Sequence, residues 1–393
     1  MNSTLRQFRD FFVSLQLTVV LLILSIILVF VATLDQVNLG IWAVQAKYFR
    51  SFAVLWAVPN TNIAIPVFPG GYFIGGLLLM NLIAAHIYRF SLSWKKLGIQ
   101  LAHAGIIVLL IGELVTGLMQ QESFLRMDEG ETKRYSESFS DNELVFIDHS
   151  AADYNEVVSL PEALVADRKS VQHPRLPFQV NVKEYYPNSM LEMRNQSAAA
   201  MAAPALATAG HGTQVVMLPL AMTYKPSERN VPGAYVEIVT PEGKLGTWLV
   251  SPLLNQPQTF NYGGKTWELN FRNKRIYKHF TVQLLKFSHD KYPGTEIPRN
   301  FSSRVRLRSD DGTEDREILI FMNNPLRYGG LTFYQAGFDN NDTTSILQVV
   351  RNPGWLLPYV ACLLMGVGLS LQFSLSLGSF IRKRSAATAK ATA

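Results

Sequence analysis

The chain has 393 residues, 48% of them hydrophobic and 17% charged, with a formal net charge of +6 and a mean hydropathy of +0.11. That balance is too apolar for an ordinary soluble protein and too polar for a chain lying wholly in a bilayer, so a membrane protein with a large water-facing domain is expected. A single cysteine excludes an intramolecular disulfide, a CxxC redox pair and a thiolate zinc cluster.

In chain order, residues 1–34 hold a short arm with Arg6, Arg9 and Asp10, then the uncharged run Leu15 to Thr33. About 20 apolar residues cross a bilayer, so this run is long enough to be a first span. It outlasts the apolar core of a signal peptide and leads into Asp35-Gln36-Val37 with no small-residue cleavage site, which marks a retained helix. Residues 35–69 follow as an extracytoplasmic loop. Ile41-Trp42, Tyr48-Phe49, Phe52 and Trp56 around Lys47 and Arg50 predict a helix lying in the interface, anchored on the lipid bilayer.

Residues 70–119 carry the second span, Gly70 to Tyr88, and the third, Leu97 to Met119, joined by a basic loop with Arg89, Lys95 and Lys96. Residues 353–393 carry a fourth span, Trp355 to Phe380 with the lone Cys362, and a tail with Arg382, Lys383, Arg384 and Lys390. In this four-span plan the arm, the short loop and the tail share one side, with nine basic residues against Asp10. Residues 120–352 instead hold 25 basic and 27 acidic residues. The excess of Lys and Arg predicts cytoplasmic termini and an extracytoplasmic 120–352 segment. The basic pI of 9.2 is then a topology signal that needs no nucleic acid as partner.

Residues 120–352 predict a β-rich domain. Short β-prone runs alternate with turn chemistry: 234–240 and 244–250 around Pro241-Glu242-Gly243, then 266–271, 280–286, 303–308, 317–321 and 331–335. The pattern fits an antiparallel sandwich or open barrel. Residues 197–212, rich in alanine, are predicted as a mobile low-complexity insertion. The cluster Arg272, Lys274, Arg275 and Lys278 reads as a solvated turn, and His211 as solvent-exposed. His149, His173, His211, His279 and His289 lack metal-ligand spacing, and there is no GxSxG or P-loop, so an enzyme with its own active site here is not expected.

The ionisable residues inside the spans are His86, His103 and Glu113, and such groups are functional candidates. Both histidines fall near the cytoplasmic ends of their helices, at depths differing by roughly 6 Å. A neutral imidazole on an apolar helix suits a haem iron; it also suits a hydrogen bond to a neighbouring carbonyl or the headgroup level. Glu113 lies roughly 15 Å further along the third helix. It could pair with a partner's cation, relay a proton or reach the interface. Gly98, Gly105, Gly112 and Gly117 offer small surfaces for helix packing or for a flat ligand.

Several stretches resemble the ResB (CcsB) family of cytochrome c biogenesis proteins, the System II synthase subunit. They are 14–22, the histidine-bearing 101–112, 127–132, 291–302 (KYPGTEIPRNFS), 322–336 (MNNPLRYGGLTFYQA) and Asn352-Pro-Gly-Trp355. The plan of three spans, a large extracytoplasmic domain and a final span is similar too, whereas 150–260 carries little of the likeness. The resemblance implies a subunit in a bacterial cytoplasmic membrane that works with a ResC/CcsA-like membrane protein. It implies no activity alone: the pair, a haem-lyase complex, moves haem across the membrane and presents it to apocytochrome c. His103 would be an axial haem ligand, with His86 a weaker candidate. The alternative is an assembly scaffold that binds no haem.

Overall fold

The computed structural model describes residues 3–58, 63–88, 93–151, 153–167, 170–223, 229–254, 256–295, 298–339 and 343–391. Arg89, assigned above to the basic loop, and Glu296-Ile297 of the KYPGTEIPRNFS stretch lie outside the described residues. The chain divides into two compact units: Met1–Gln121 with Asn352–Ala393, and Glu122–Thr223 with Ser227–Arg351.

The first unit contains α1 (Ser3–Phe12), α2 (Leu15–Val44), α3 (Gly71–Tyr88), α4 (Leu97–Met119) and a C-terminal helix (Leu357–Ala391). Among the described residues, four helices are long and apolar enough to cross a membrane: Leu15–Ile41, Gly71–Tyr88, Leu97–Met119 and Leu357–Ala386. The first outruns the predicted Leu15 to Thr33, because the charge at Asp35 does not stop it. The Asp35 carboxylate accepts hydrogen bonds from Lys47 Nζ (2.8 Å) and Tyr48 Oη (2.9 Å) across the following turn. Neutralised in this way, Asp35 is tolerated in the helix. The break comes instead at Gly40, whose φ of 71° only glycine adopts cheaply.

A π-helical turn, Gln45–Phe49, then leads into a hairpin of β1 (Ala53–Ala57) and β2 (Ala64–Pro69). The interfacial helix predicted for residues 35–69 is therefore corrected: the chain is helical to Phe49 and a β-ribbon beyond it. The β-branched and aromatic run from Phe52 to Val58, ending before Pro59, explains the switch.

Asn81, buried in α3 at 2% exposure, was not singled out by sequence. Its Oδ1 accepts from Thr18 Oγ1 (2.7 Å), and its Nδ2 donates to the carbonyls of Phe12 (2.7 Å) and Ser14 (3.1 Å). It thereby satisfies backbone groups freed where α1 gives way to α2.

In the second unit the strands are β3 (Gln121–Asp128), β4 (Thr132–Asp148), β5 (Glu156–Pro161), β6 (Ser170–Val171), β7 (Gln179–Tyr186) and β8 (Ser189–Met193). They continue as β9 (Val215–Pro219), β10 (Gly233–Thr240), β11 (Gly243–Val250), β12 (Gln258–Tyr262), β13 (Lys265–Lys291) and β14 (Pro298–Ser309). The last are β15 (Asp315–Phe321), β16 (Leu326–Tyr328), β17 (Leu331–Asp339) and β18 (Thr344–Arg351). Neighbouring strands pair antiparallel, as predicted.

Two long strands organise this unit. β4 and β13 pair along most of their lengths, with register shifts after Asn273 and after Tyr277. Their Leu144–Phe146 and Trp267–Phe271 portions serve one core, with Phe178, Val180, Val236 and Trp248. The later part of β13, through Val282 and Leu284, serves a second core with Val305, Leu307, Phe333 and Leu347. The runs 266–271 and 280–286, separate in the sequence reading, are thus two ends of one strand. The predicted turn at Arg272 to Lys278 is corrected accordingly. Its charge is absorbed within the sheet: Arg272 Nε donates to Glu143 at 3.0 Å, and Glu143 itself is buried.

The alanine-rich 197–212 segment is also corrected, from a mobile insertion to packed structure. Ser197 caps a helical turn, Ala198–Ala202, by accepting from the Ala200 amide, and Ala200 is fully buried. Thr208 and Ala209 donate backbone hydrogen bonds to Thr247. Gly212 packs closely here, since a Cβ on it would lie 2.5 Å from Cβ of the buried Ala207. His211 is half-buried here rather than solvent-exposed.

Candidate functional site

The candidate site is assembled on α4. Its glycines recur every seven residues, at Gly98, Gly105 and Gly112, and all three are buried. A Cβ on Gly98 would sit 2.6 Å from the Gly368 carbonyl oxygen, one on Gly105 2.8 Å from that of Ala361, and one on Gly112 2.9 Å from Leu357 Cβ. These glycines therefore form the seam with the C-terminal helix, where small residues let backbones approach. Packing, not a flat ligand, accounts for them. Gly117 is different, with nothing within 4 Å of the space its Cβ would take.

A contrast follows. Gly105→Leu is expected to lower the stability of the detergent-solubilised protein by at least about 1–3 kcal/mol, because its side chain must displace backbone. Gly117→Leu should stay within about 0.5 kcal/mol of wild type. Thermal melts of the two variants side by side check this.

The seam also fixes where the ionisable groups point. At about 100° per residue, His103 lies roughly 160° around α4 from Gly105, on the side away from the C-terminal helix. It is exposed, between exposed Ile99 and Ile106 on neighbouring turns of the same face. Glu113, next to Gly112, is exposed as well. His86 lies in the last turn of α3 and is half-buried. Among the described residues no three His, Cys, Asp or Glu side chains come together as a metal site.

The NPGW stretch acts at the other end of the seam. Asn352 Oδ1 accepts from the Gly354 amide at 2.8 Å, and Asn352 Nδ2 donates to Thr116 Oγ1 at 3.1 Å and Gln120 Oε1 at 3.3 Å. It ties the start of the last helix to the end of α4.

In the β-rich unit the histidines stay dispersed. His149 Nε2 lies 2.8 Å from Glu268 Oε2 and Nδ1 lies 3.0 Å from Asn155 Oδ1; the Glu268 carboxylate raises its pKa. His289 sits among rings, with centroids 4.6 Å from Phe338 and 5.0 Å from Phe301. His279 is exposed and His173 half-buried. The carboxylates are tied down: Glu237 is held between Lys183 (2.8 Å) and Lys244 (2.9 Å), which lower its pKa to about 2. Asp148 is likewise lowered to about 2, chiefly by Lys265.

One cation of the predicted solvated turn is buried instead. Lys278, 8% exposed, donates to Ser136 Oγ at 2.6 Å and to the Ile276 carbonyl at 3.3 Å. Ser136 Oγ in turn lies 2.8 Å from Ser123 Oγ. Burial alone pushes the amine down to about 8. The signal lay in the alternation: Lys278 stands at period two before Phe280, Val282 and Leu284 and shares their buried face.

Residues 250–346 match the model of the ResB-like family. The chain is 32% identical over 102 residues to protein NrfI of Wolinella succinogenes, which covers 26% of this chain and 11% of that protein. It is also 32% identical over 94 residues to the cytochrome c biogenesis protein CcsB of Synechococcus elongatus, covering 24% of this chain and 20% of that one. A CcsB protein from a second Synechococcus strain matches equally well.

Proposed function

We propose that this ResB/CcsB-like protein is a membrane subunit of a cytochrome c biogenesis complex, and that it helps carry haem across the membrane and present it to apocytochrome c. In this reading the four apolar helices span a bacterial cytoplasmic membrane. Both termini are cytoplasmic and residues 120–352 are extracytoplasmic. A ResC/CcsA-like membrane protein is the partner, and His103 supplies one axial ligand to the haem in transit. His86 is the weaker candidate, and no role is assigned to Glu113.

The observation that carries the haem part of the reading is the placement of His103. The seam glycines take up one side of α4 and leave an imidazole flanked by Ile99 and Ile106 on the opposite side. A polar ring facing lipid is costly unless something occupies it. An apolar wall with one imidazole offers a porphyrin face and one iron ligand, and the second ligand must come from elsewhere. The family match over 250–346 and the likeness to the CcsB cytochrome c biogenesis proteins support the biogenesis part.

Two experiments test this. Co-expression with a ResC-like protein, followed by affinity purification, is expected to yield both chains and bound haem; a chain that purifies alone and colourless would defeat the reading. For the orientation, protease added to intact spheroplasts should cleave within 120–352 and spare an epitope tag on the C-terminus. Cleavage of the tag instead would invert the topology.

A further inference from the structure

The hairpin of β1 and β2 has a composition that neither water nor the core of a bilayer can accommodate. Between Arg50 and Arg89 the sequence contains no Asp, Glu, Lys or Arg. Trp56 pairs with Ile65, and Leu55 with Pro66, in the ladder. Successive residues of a strand point to opposite faces, so these two pairs make the ribbon apolar on both. Phe52, Leu55, Trp56, Ile63, Ile65 and Val67 are all exposed, Phe52 at 71%. Water would leave this surface unburied.

Hydrocarbon fails for a different reason. The two strands form a sheet of their own, so each has one edge with no hydrogen-bonded neighbour among the described residues. Open edges do not occur in lipid chains. A partner strand could cover an edge, but Pro66 and Pro69 lack the N–H groups that strand addition to β2 requires. Those prolines also reduce the number of donors left to satisfy.

The base of the ribbon is held firmly. The Gly70 amide donates to the Phe52 carbonyl at 3.0 Å, and a Cβ on Gly71 would sit 2.5 Å from the Phe49 carbonyl oxygen. The hairpin is therefore fixed to the start of α3. Beside it Lys47 is neutralised by Asp35, while Arg50 is exposed and has no acidic partner among the described residues.

From these observations we infer that the two hairpin strands, Ala53–Ala57 and Ala64–Pro69, lie in the headgroup–acyl boundary of the outer leaflet, with apolar side chains on both faces among lipid and Arg50 at the phosphates. That zone is the one environment that hydrates strand edges while burying aromatic and aliphatic side chains. The inference rests on the membrane-spanning reading above.

The test uses the full chain in nanodiscs of phosphatidylcholine and phosphatidylglycerol. A nitroxide is placed in turn at Leu55, Trp56, Ile65 and Val67 by cysteine substitution in a Cys362→Ser background. A label at Leu369, exposed about twelve residues into the C-terminal helix, is the reference for the span in the same background. At all four hairpin positions collisions with oxygen are expected to exceed those with a water-soluble nickel chelate, at depths within roughly 5–10 Å of the phosphates. Nickel-dominated collisions at these positions would mean a water-exposed hairpin, and exclusion of both colliders would mean a protein cover. Either result overturns the inference while Leu369 still reports a deep bilayer position. A water-accessible Leu369 label would overturn the spanning reading instead.

Discussion

Replacing His103 with alanine is expected to reduce the haem that co-purifies with the protein and the proposed ResC-like partner by more than about tenfold. Loss of groups that merely orient a metal ligand already costs about 10–100-fold in affinity, and here the ligand itself is removed. The variant should fold, because His103 lies away from the glycine seam and its replacement removes no packing between α4 and the C-terminal helix. Partner recovery should be unchanged. Two further readouts separate ligation from a general loss of function. Added imidazole should restore haem content to the alanine variant, since it fits the space left by the side chain and supplies the same nitrogen. His86→Ala should alter haem content less. An unchanged haem spectrum in His103→Ala would remove the ligand and leave the scaffold reading.

The helical unit was the more legible part of this chain. Apolar runs long enough to cross a bilayer leave little choice of structure, and the four helices follow them. The one departure is at Asp35, a charge that the first helix runs through. A charge with a partner twelve residues on is no boundary, and that partner is visible only once the turn has folded. The β-rich unit was legible in its strands but not in its long-range arrangement. Alternation identified both ends of β13, yet the segment between them carries Arg272, Lys274, Arg275 and Lys278, which locally is indistinguishable from a turn. What makes it a strand is β4 on the far side, which brings Glu143 to Arg272 and Ser136 to Lys278. The alanine-rich segment misled in the opposite sense: despite its low complexity it is tied down, by the Thr208 and Ala209 amides bonding to Thr247 and by Gly212 against Leu249.

For the site, residue type was readable and direction was not. Three ionisable groups in apolar runs can be listed from sequence, but which of them faces outward depends on which side of α4 meets another helix. The glycine heptad settles that side, because its absent side chains admit the backbone of the C-terminal helix. His103 then falls opposite. The family match covers only 250–346, so the helix bearing His103 lies outside it and the haem assignment stands on this geometry and its test.

Lys278 supplies the second large effect, and its sign follows from where the amine is buried. The amine titrates near 8 in the folded sheet and near its ordinary 10.5 in the unfolded chain. Below pH 8 it is charged in both states, and the folded state bears the full cost of holding an ammonium among hydroxyls and a carbonyl. As pH rises from 8 toward 10.5 the folded state loses the proton first, the unfolded chain binds more protons, and stability therefore increases. Above 10.5 no further gain is available from this group. Linkage puts the gain between pH 7 and 9.5 at about 2 kcal/mol. Other groups titrate in the same range, so the measurement is a difference: denaturant unfolding of wild type and Lys278→Met, in detergent, at both pH values. Methionine keeps the length of the chain and removes the charge. The stability of wild type relative to the variant is expected to improve by about 2 kcal/mol on going to pH 9.5. A difference that does not change with pH would mean that water or an acidic group reaches the amine, and that the junction of the two cores is open where β4 and β13 change register.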